Sequence, residues 1–283
     1  MKTKTTTIKK SILKKVYKKR KAWSHKYDFG NLLIIGGSKL YSGSPVLAGM
    51  AALRTGVDLV TIIAPERAAN IAASFSPDLV TYPLKGDYLN RRHLTDLSKF
   101  TKGKTAVVIG GGLWRIQPVL DTVTEYLRRT SIPCVVDADA IHAIAKSRKL
   151  NLKNCTITPH DYEFFVMSKA RPTTQLSKRV AEVKKVAREM GTTILLKGST
   201  DIISDGRKVA INKTGNPYMT VGGTGDTLAG ICGSLLAQGA DCFTATCAAA
   251  YINGRAGDIA ARQFKQALTA TDLIETIPKV LKG

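Results

Sequence analysis

The chain has 283 residues, of which 44% are hydrophobic and 23% charged. This ordinary globular composition excludes a collagen-like, coiled-coil or largely disordered chain, and a chain of this length needs no disulfide or metal to hold a core. No run of about 18 apolar residues occurs, so no membrane-spanning helix is expected. Lys and Arg number 43 against 21 Asp and Glu, which gives a net charge of +22.

Half of this charge excess lies in the first tenth of the chain, because residues 1–26 contain 11 Lys or Arg and no acidic residue. Nucleic acid is one partner for such a segment. However, Leu13, Val16 and Tyr17 have helical spacing, and no aromatic-studded basic groove or nucleic-acid motif is evident in the sequence. The pattern favours a short amphipathic helix with a solvated basic face, so nucleic acid is not expected as a partner. The remaining positive charge favours anionic small molecules such as nucleotides.

The five cysteines are scattered and odd in number. They form no Cys-x-x-Cys pair and no Cys/His spacing typical of zinc, and three of them lie in Ala/Leu-rich helical sequence, where cysteine is usually a small buried hydrophobe. A reduced environment fits this usage. The amino-terminal residues lack the apolar stretch of a secretory signal. We therefore expect a cytoplasmic protein.

Short apolar runs alternate with helical patterns, which predicts a mostly parallel sheet with helices on both faces. Strands are predicted at Leu32–Ile35, Leu59–Ala64, Thr105–Ile109, Cys134–Val136, Cys155–Thr158, Thr193–Leu196, Ile202–Ser204 and Lys208–Ile211. Helices are predicted at Pro45–Thr55, Gln117–Arg129, Gln175–Met190, Gly225–Gln238, Cys242–Arg262 and Thr271–Leu281. Asp205-Gly206 is a two-residue hairpin signal between the last two strands. No linker interrupts the pattern, so we predict one domain over 1–283, with the basic segment 1–26 leading into the core.

Small, polar or charged residues follow five of the predicted strands. Ligands bind at the carboxyl ends of the strands in sheets of this kind. The sequence therefore predicts one shared crevice, formed by Gly36-Gly37, Gly110–Gly112, Asp137–Asp139, Thr158–His160 and Lys197-Gly198.

The segment Asn216–Gly230, NPYMTVGGTGDTLAG, carries the sharpest chemical signal. Its glycines allow a tight turn that exposes backbone N–H groups, and the helix that follows adds its positive dipole end, so the pattern is typical of an anion hole for a phosphoryl group. Asp226 beside such a hole fits a base that accepts a proton from an attacking hydroxyl. A plain helix-capping Asp after a glycine turn fits the same letters. The segment is not a Walker A loop, because the GK[ST] ending is missing.

At this segment the chain resembles the ribokinase-like proteins, and its other motifs narrow the resemblance to the NAD(P)H-hydrate dehydratases. These repair enzymes are related to the carboxyl-terminal half of bifunctional hydrate-repair proteins. The resemblance runs from about residue 8 to residue 280. The matching segments, in order, are His25–Gly30 with LLIIGGS, Tyr41–Ala48, AALRTG, DADAIHAI, TPHDYEF, LLKGSTDII and GNPYMTVGGTGDTLAGI.

The resemblance implies a ribokinase-like three-layer α/β/α sandwich around a mostly parallel central sheet. It implies nucleotide-dependent dehydration of hydrated NADH or NADPH, in which the ring hydroxyl is phosphorylated and phosphate is then eliminated. ADP is favoured over ATP as the phosphoryl donor, and Mg²⁺ is the expected cofactor. A homo-oligomer, a tetramer as in related proteins, is also implied. A separate hydrate epimerase that acts on the same substrate is a further expected partner.

The resemblance also assigns roles to residues. Asp226 would be the catalytic base, and the Gly222, Gly223, Thr224 and Gly225 amides would form the anion hole. The nucleotide, through its AMP part, would contact Lys197, Gly198, Ser199, Thr200 and Asp201, with Gly225 nearby. The hydrated dinucleotide would contact Ser44, Gly112, His160 and Asp226.

Several of these residues have structural interpretations that the sequence leaves open. His160 could cap the helix after Pro159. Asp137 and Asp139 could end a strand and cap a helix, or position Mg²⁺ through water, so the metal ligands stay unassigned. Asn216 is expected to shape the loop before the anion hole.

The chain departs from the family pattern at Ser44, which replaces alanine, and at Tyr27, Asp58 and Trp114, which stand where glycine is usual. Two other functions therefore stay open. One is a ribokinase-like ATP-dependent kinase of a small alcohol or vitamin precursor. The other is a nucleotide- or nucleic-acid-binding protein without catalysis, suggested by Trp114 and the basic amino-terminal segment.

Overall fold

The fold is organised around one ten-stranded sheet. A computed structural model describes residues 5–147, 150–171 and 173–282, so the first four residues of the predicted basic segment lie outside it. The strand order is β1-β10-β9-β8-β7-β6-β5-β2-β3-β4, and β9 alone runs antiparallel to its neighbours. The strands are β1 Thr5–Thr7, β2 Asn31–Ile35, β3 Leu59–Pro65, β4 Val80–Leu84, β5 Ala106–Ile109, β6 Cys134–Val136, β7 Cys155–Ile157, β8 Thr193–Leu196, β9 Asp201–Ser204 and β10 Val209–Asn212.

Helices cover both faces of this sheet. They are α1 Leu13–Val16, α2 Gly43–Arg54, α3 Glu66–Phe75, α4 Leu94–Thr101, α5 Gln117–Arg129, α6 Asp139–Lys146, α7 Asp161–Ser168, α8 Leu176–Met190, α9 Thr224–Ala237, α10 Cys242–Phe264 and α11 Ala270–Lys282. Short 3-10 helices lie at Lys10–Ile12, Arg91–His93, Pro217–Met219 and Lys265–Ala267.

Two apolar layers form because strand side chains alternate between the faces of the sheet. Leu32 and Ile34 of β2 are buried among α1–α3 and α9–α11, whereas Leu33 and Ile35 point into the layer formed with α4–α6. A third cluster lies between α7, α8 and strands β8–β10. The predicted three-layer α/β/α sandwich with a mostly parallel sheet is therefore confirmed.

The structure adds elements that the sequence did not predict, namely β1, α3, β4 and α4. Two of them carry weak signals. β1 is a short, polar edge strand, Thr5–Thr7, that is exposed throughout, and β4 contains Pro83, which a strand tolerates best at an edge. The predicted amino-terminal helix is short, because among the described residues 5–26 helical structure is confined to residues 10–16.

The observed hairpin fixes which strand ends meet. A loop of four residues, Asp205–Lys208, and not the predicted two-residue turn, joins the antiparallel strands β9 and β10. Strand β10 therefore again runs parallel to β8 and points its carboxyl end to the same edge of the sheet. The carboxyl ends of β2, β5, β6, β7, β8 and β10 thus share one edge, where the polar clusters lie. In the described part of the chain, no helix has the length and apolarity that crossing a membrane requires.

Candidate active site

A cleft of about 710 Å³ opens at the carboxyl edge of the sheet. Its walls are the turn after β8, the loop between β10 and α9, the first turn of α9 and the middle of α10. Among the residues predicted to bind ligands, this cleft contains His160, Lys197, Gly198, Ser199, Asp201, Thr224 and Gly225. Thr200 belongs to the same turn but does not line the cleft.

The glycine segment forms the start of α9 at one end of this cleft. Gly223 has a φ of +95°, and a Cβ there would lie 2.6 Å from Leu47 Cδ1 and 2.9 Å from Ala270 Cβ, so only glycine fits. α9 begins at Thr224, and the first N–H groups of a helix have no partner within it. The Thr224 hydroxyl donates to the Met219 and Val221 carbonyls, at 2.9 and 3.1 Å, and closes the loop. The backbone N–H groups, with the helix dipole, are therefore the groups available to an anion.

Asn253 of α10 is a cleft residue that the sequence analysis missed. The Thr227 hydroxyl donates to Asn253 Oδ1 at 2.8 Å, and Asn253 Nδ2 donates to the Thr224 carbonyl at 3.3 Å. Asn253 thus ties α10 to the first turn of α9. Its signal in the sequence is an isolated polar side chain in the run CAAAYINGRAG of a buried helix.

Asp226 lies on the inner side of this turn, against the glycines that follow β5. A Cβ at Gly111 would lie 2.6 Å from Asp226 Oδ1 and 3.1 Å from Ser44 Cβ, and one at Gly112 would lie 3.4 Å from Ser44 Cβ. The structure therefore brings together Asp226, Ser44 and Gly112, three of the four residues predicted to contact the substrate.

The environment of Asp226 disfavours its charged form. Burial first, and next the negative charge of Asp137, raise the pKa of the Asp226 carboxyl to about 7, while Ser44 and Lys197 act in the opposite direction. A carboxyl with a pKa near neutrality can both accept and return a proton at neutral pH. This is the property that a general base for a hydroxyl group requires.

Lys197 reaches from the end of β8 toward the anion hole. Its Nζ lies 3.1 Å from Asp137 Oδ1 and 3.8 Å from Glu163 Oε2. A Cβ at Gly225 would lie 3.7 Å from the same Nζ, so the ammonium group faces the first turn of α9. Burial lowers the pKa of Lys197, but the charges of Asp137 and Glu163 outweigh it, and the pKa is raised. Lys197 therefore stays charged at neutral pH.

The two aspartates that follow β6 have different surroundings. Asp137 is 3% exposed and accepts a hydrogen bond from the Thr158 hydroxyl at 2.7 Å in addition to that from Lys197. Asp139 instead accepts from the Trp114 amide and the Arg115 side chain, at 3.0 and 3.1 Å. Asp137 thus belongs to the charged floor of the site, whereas Asp139, the first residue of α6, holds the loop that contains Trp114 and Arg115. Within the described residues, no group of three or more His, Cys, Asp or Glu side chains is arranged to hold a metal ion.

His160 caps the helix that follows it. Its Nδ1 accepts from the Tyr162 and Glu163 amides, at 3.2 and 3.3 Å, and the Glu163 carboxylate accepts from the His160 amide. The half-exposed ring lines the large cleft together with Lys197 and Gly198, and not the group around Ser44 and Gly112. The capping interpretation left open by the sequence therefore describes the observed contacts.

The turn after β8 is held by a buried carboxylate. Asp201 accepts from the Gly198 amide at 3.1 Å and from Asn212 Nδ2 at 3.0 Å. Burial raises the pKa of Asp201 to about 6, although both hydrogen bonds lower it. These contacts fix Gly198 and Ser199 on the wall of the cleft. Asn216 likewise shapes the next wall, because its Oδ1 accepts from the Tyr218 amide at 3.0 Å.

Two of the unusual residues have backbone conformations that favour glycine. Tyr27 and Trp114 have φ values of +82° and +75°. A third, Asp58, accepts from Arg20 Nη1 at 3.0 Å and from the Phe29 amide at 2.9 Å. Asp58 thus anchors the amino-terminal segment.

Comparison with known proteins identifies the family. The family model for NAD(P)H-hydrate dehydratase matches residues 32–279, which include every residue of the site described above. The chain belongs to the NAD(P)H-hydrate dehydratase family. The resemblance seen in the sequence motifs is therefore confirmed.

Members of the NAD(P)H-hydrate dehydratase family align over most of this chain. It is 43% identical over 265 residues to a bifunctional NAD(P)H-hydrate repair enzyme of Pyrobaculum aerophilum, covering 93% of this chain but 52% of that protein. It is 36% identical to the ADP-dependent (S)-NAD(P)H-hydrate dehydratase of Cenarchaeum symbiosum, covering 95% of this chain and 94% of the relative. The chain thus spans about half the length of its bifunctional relatives and nearly all of the shorter one.

A solved structure shares the fold. The ADP/ATP-dependent NAD(P)H-hydrate dehydratase of Bacillus subtilis, co-crystallised with ATP and Mg²⁺, has a TM-score of 0.85 and 25% sequence identity. The match covers 98% of each chain.

Proposed function

We propose that this chain catalyses the nucleotide-dependent dehydration of hydrated NADH and NADPH, with ADP preferred over ATP. The observation that carries this proposal is the position of Asp226. Its carboxyl lies between the Ser44–Gly112 side and the helix start that faces the large cleft, so one base serves two binding regions. The name of the Cenarchaeum symbiosum relative supports ADP as the donor.

In the proposed first step, Asp226 accepts the proton of the ring hydroxyl while the hydroxyl oxygen attacks the terminal phosphorus of the nucleotide. The bond between that phosphorus and the leaving nucleotide oxygen breaks, and the nucleotide departs one phosphate shorter. The N–H groups of Gly222, Gly223, Thr224 and Gly225 stabilise charge on the transferred phosphoryl group. In the second step the ring C–O bond breaks, phosphate leaves with the electron pair, and loss of a ring proton restores NADH or NADPH.

We assign Lys197 to the transferred phosphoryl group, because its Nζ faces Gly225. This refines the expectation from the resemblance, which gave Lys197 to the AMP part of the nucleotide. Gly198 and Ser199 lie further along the cleft wall and are proposed, with Asp201, for that part. Ser44 and Gly112 are proposed for the hydrated ring. His160, which lines the large cleft, is proposed to border both ligands.

The expected Mg²⁺ fits the site only when it is bound to the nucleotide phosphates. Asp137, the most buried carboxylate of the floor, is already paired with Lys197. Mg²⁺ is commonly held by phosphates and water with one or two carboxylates. We infer that it enters on the nucleotide phosphates, where it neutralises their charge, and we assign it no protein ligand.

We also propose that residues 1–283 act as one catalytic domain, since the three largest apolar clusters pack on a single sheet. A cytoplasmic location, a tetrameric assembly and a separate hydrate epimerase that shares the substrate stay part of this proposal.

The proposal is tested with purified protein, NADH hydrate, Mg²⁺ and either ADP or ATP. We expect nucleotide-dependent return of the reduced-nicotinamide absorbance, faster with ADP. Asp226→Asn should abolish it while nucleotide binding by calorimetry is retained. Asp96→Asn, on the distant helix α4, is the matched control. A phosphorylated hydrate that accumulates without recovered NADH, detected by mass spectrometry, would indicate a kinase instead. No turnover by folded, nucleotide-binding protein would contradict dehydration.

A further inference from the structure

The basic amino-terminal segment forms an ordered surface on the folded protein. Leu13 and Val16 are buried in the core layer. The Tyr17 hydroxyl donates to the Thr55 carbonyl at 3.0 Å, and Arg20 pairs with Asp58 at 3.0 Å. These contacts fix the backbone on both sides of Lys14, Lys15, Lys18 and Lys19. We call residues 9–27 the amino-terminal basic surface.

Its charge is strong and mostly unpaired, because Arg20 pairs with Asp58 but the lysines pair with no other described residue. All eight of its lysines are exposed: Lys9, Lys10, Lys14, Lys15, Lys18, Lys19, Lys21 and Lys26. The segment contains no acidic residue, and none of these lysines forms an ion pair with another described residue. Such a surface attracts a polyanion and binds it through the release of counterions.

Two aromatic rings project from this charged surface. Trp23 is 71% exposed and Tyr27 is 57% exposed. Lys21 Nζ lies 5.8 Å from the Trp23 ring, and Lys26 Nζ lies 5.5 Å from the Tyr27 ring. The Tyr27 backbone has a φ of +82°, a conformation that is strained for a residue other than glycine. The sequence alone does not reveal an aromatic-studded basic surface, because the exposure of these rings is visible only in the fold.

Two cavities adjoin the same surface. One, of about 680 Å³, is lined by Lys9, Lys15, Arg207 and Lys208 and contains no acidic residue among its described lining. The other, of about 460 Å³, has Tyr27 in its wall, together with Asp28 and Asp241. The first cavity borders the start of α10 at Phe243 and Thr244, and the second borders the loop before it, from Gly239 to Asp241.

The aromatic end of this surface lies away from the proposed catalytic residues. Trp23 and Tyr27 lead into the amino end of β2, whereas the catalytic edge follows the carboxyl end of that strand. None of the residues that line the large cleft belongs to this surface. The ligand that it attracts is therefore distinct from the nucleotide and the hydrate.

We propose that the amino-terminal basic surface binds single-stranded nucleic acid, with its lysines contacting phosphates and with Trp23 and Tyr27 stacking on unpaired bases. Exposed rings in a basic groove are the combination that single-strand binders use. A duplex fits less well, because its bases are already stacked and α1, with four residues, is too short to read a groove. A membrane fits less well, because the aliphatic side chains of α1 face the core.

The test measures binding of a fluorescein-labelled oligouridine of about 15 nucleotides by fluorescence anisotropy, since single-strand sites are of this order. We expect affinity to fall steeply between about 50 and 200 mM salt, and a matched duplex RNA to bind more weakly. Trp23→Ala with Tyr27→Ala should weaken binding about tenfold or more, consistent with the loss of base stacking. Phe75→Ala is the control, because it removes a ring on α3 that is as exposed as that of Tyr27, at 57%. It should leave the RNA affinity unchanged.

The charge is tested in the same way. The double variant Lys18→Glu with Lys19→Glu should abolish RNA binding. The control double variant, Lys99→Glu with Lys102→Glu, changes the net charge equally at another exposed site and should retain most of the RNA binding. An equal loss of RNA affinity in the two lysine double variants, or an unchanged RNA affinity after removal of the two rings, would overturn the proposal. Binding to anionic vesicles but not to RNA would indicate a membrane surface. A change of mass in gel filtration on removing the rings would indicate an interface between copies.

These variants should retain the melting temperature of the native chain and its rate in the NADH-hydrate assay. Nucleic-acid binding can therefore fail or succeed independently of the proposed dehydration.

Discussion

Lys197 Nζ and Asp137 Oδ1 lie 3.1 Å apart beneath the anion hole, and this ion pair joins the ends of two strands. Asp137 follows β6 and Lys197 follows β8, and Thr158, which follows the intervening strand β7, donates to the same carboxylate oxygen. The pair lies beside Asp226, whose pKa responds to both charges in opposite directions. The proposed catalytic base is thus tuned by two residues that would not themselves transfer a proton.

The negative charge of Asp137 is the second-largest cause of the raised pKa of Asp226. Asp137→Asn should therefore lower that pKa and move the acidic limb of the pH–rate profile to lower pH, since more of the base is deprotonated there. The profile of kcat for NADH-hydrate dehydration measures this. Asp139→Asn is the matched control, because Asp139 is bonded to Trp114 and Arg115 and contributes less to the same pKa. Equal shifts in the two variants would contradict the assigned role of Asp137.

Lys197→Met should shift the same limb in the opposite direction, because the positive charge of Lys197 lowers the pKa of Asp226. It should also reduce kcat by about 10²-fold or more, the size of effect seen when a group that stabilises transition-state charge is removed. ADP affinity, measured by calorimetry, should fall much less if Nζ contacts mainly the transferred phosphoryl group. A large loss of affinity with kcat preserved would return Lys197 to the AMP part of the nucleotide.

The raised pKa of Asp226 also predicts that the ionised carboxylate, the form that acts as a base, lowers the stability of the folded chain. An Asp carboxyl whose pKa rises from 3.8 to about 7 on folding binds its proton more tightly in the folded chain. Its stabilising contribution is therefore complete below the unfolded pKa and is lost as pH rises through about 7. At about pH 8 the Asp226→Asn variant should have a higher melting temperature than the native chain. The difference between the two melting temperatures should narrow toward about pH 4. Calorimetry measures this, with Asp96→Asn as the control. A difference in melting temperature that does not change with pH would contradict the raised pKa of Asp226.

Much of the fold was predictable from the sequence because its central strands are apolar and its long helices are periodic. Gln117–Arg129, Cys134–Val136 and Thr193–Leu196 have the predicted bounds. α3 and β4 lie between Pro65 and Leu84, where polar and exposed residues hide the pattern. β1 is defined only by its pairing with β10, a contact across some 200 residues that no local signal encodes.

The candidate site was predictable where a backbone conformation demands a residue type, as at Gly223. The site was less predictable where the role of a residue depends on which side chains contact it in the fold. Glu163 lies in the segment TPHDYEF but received no role from the sequence, yet its position 3.8 Å from Lys197 makes it part of the charged floor. Asn253 lies in a helix distant in sequence, and only the packing of α10 against α9 brings it to Thr224.

Gly223 and Gly222 form a matched pair that tests the anion hole itself. Gly223 has a φ of +95° and no space for a Cβ, which would lie 2.6 Å from Leu47 Cδ1, whereas a Cβ at Gly222 would meet nothing within 4 Å. Gly223→Ala should therefore destabilise the chain by about 1–3 kcal/mol, the usual range for a strained backbone position, and distort the start of α9 so that nucleotide binding weakens. Gly222→Ala should leave the melting temperature nearly unchanged. Thermal melting and ADP calorimetry measure both variants, and equal stability of the two would show that the Gly223 turn can relax around a side chain.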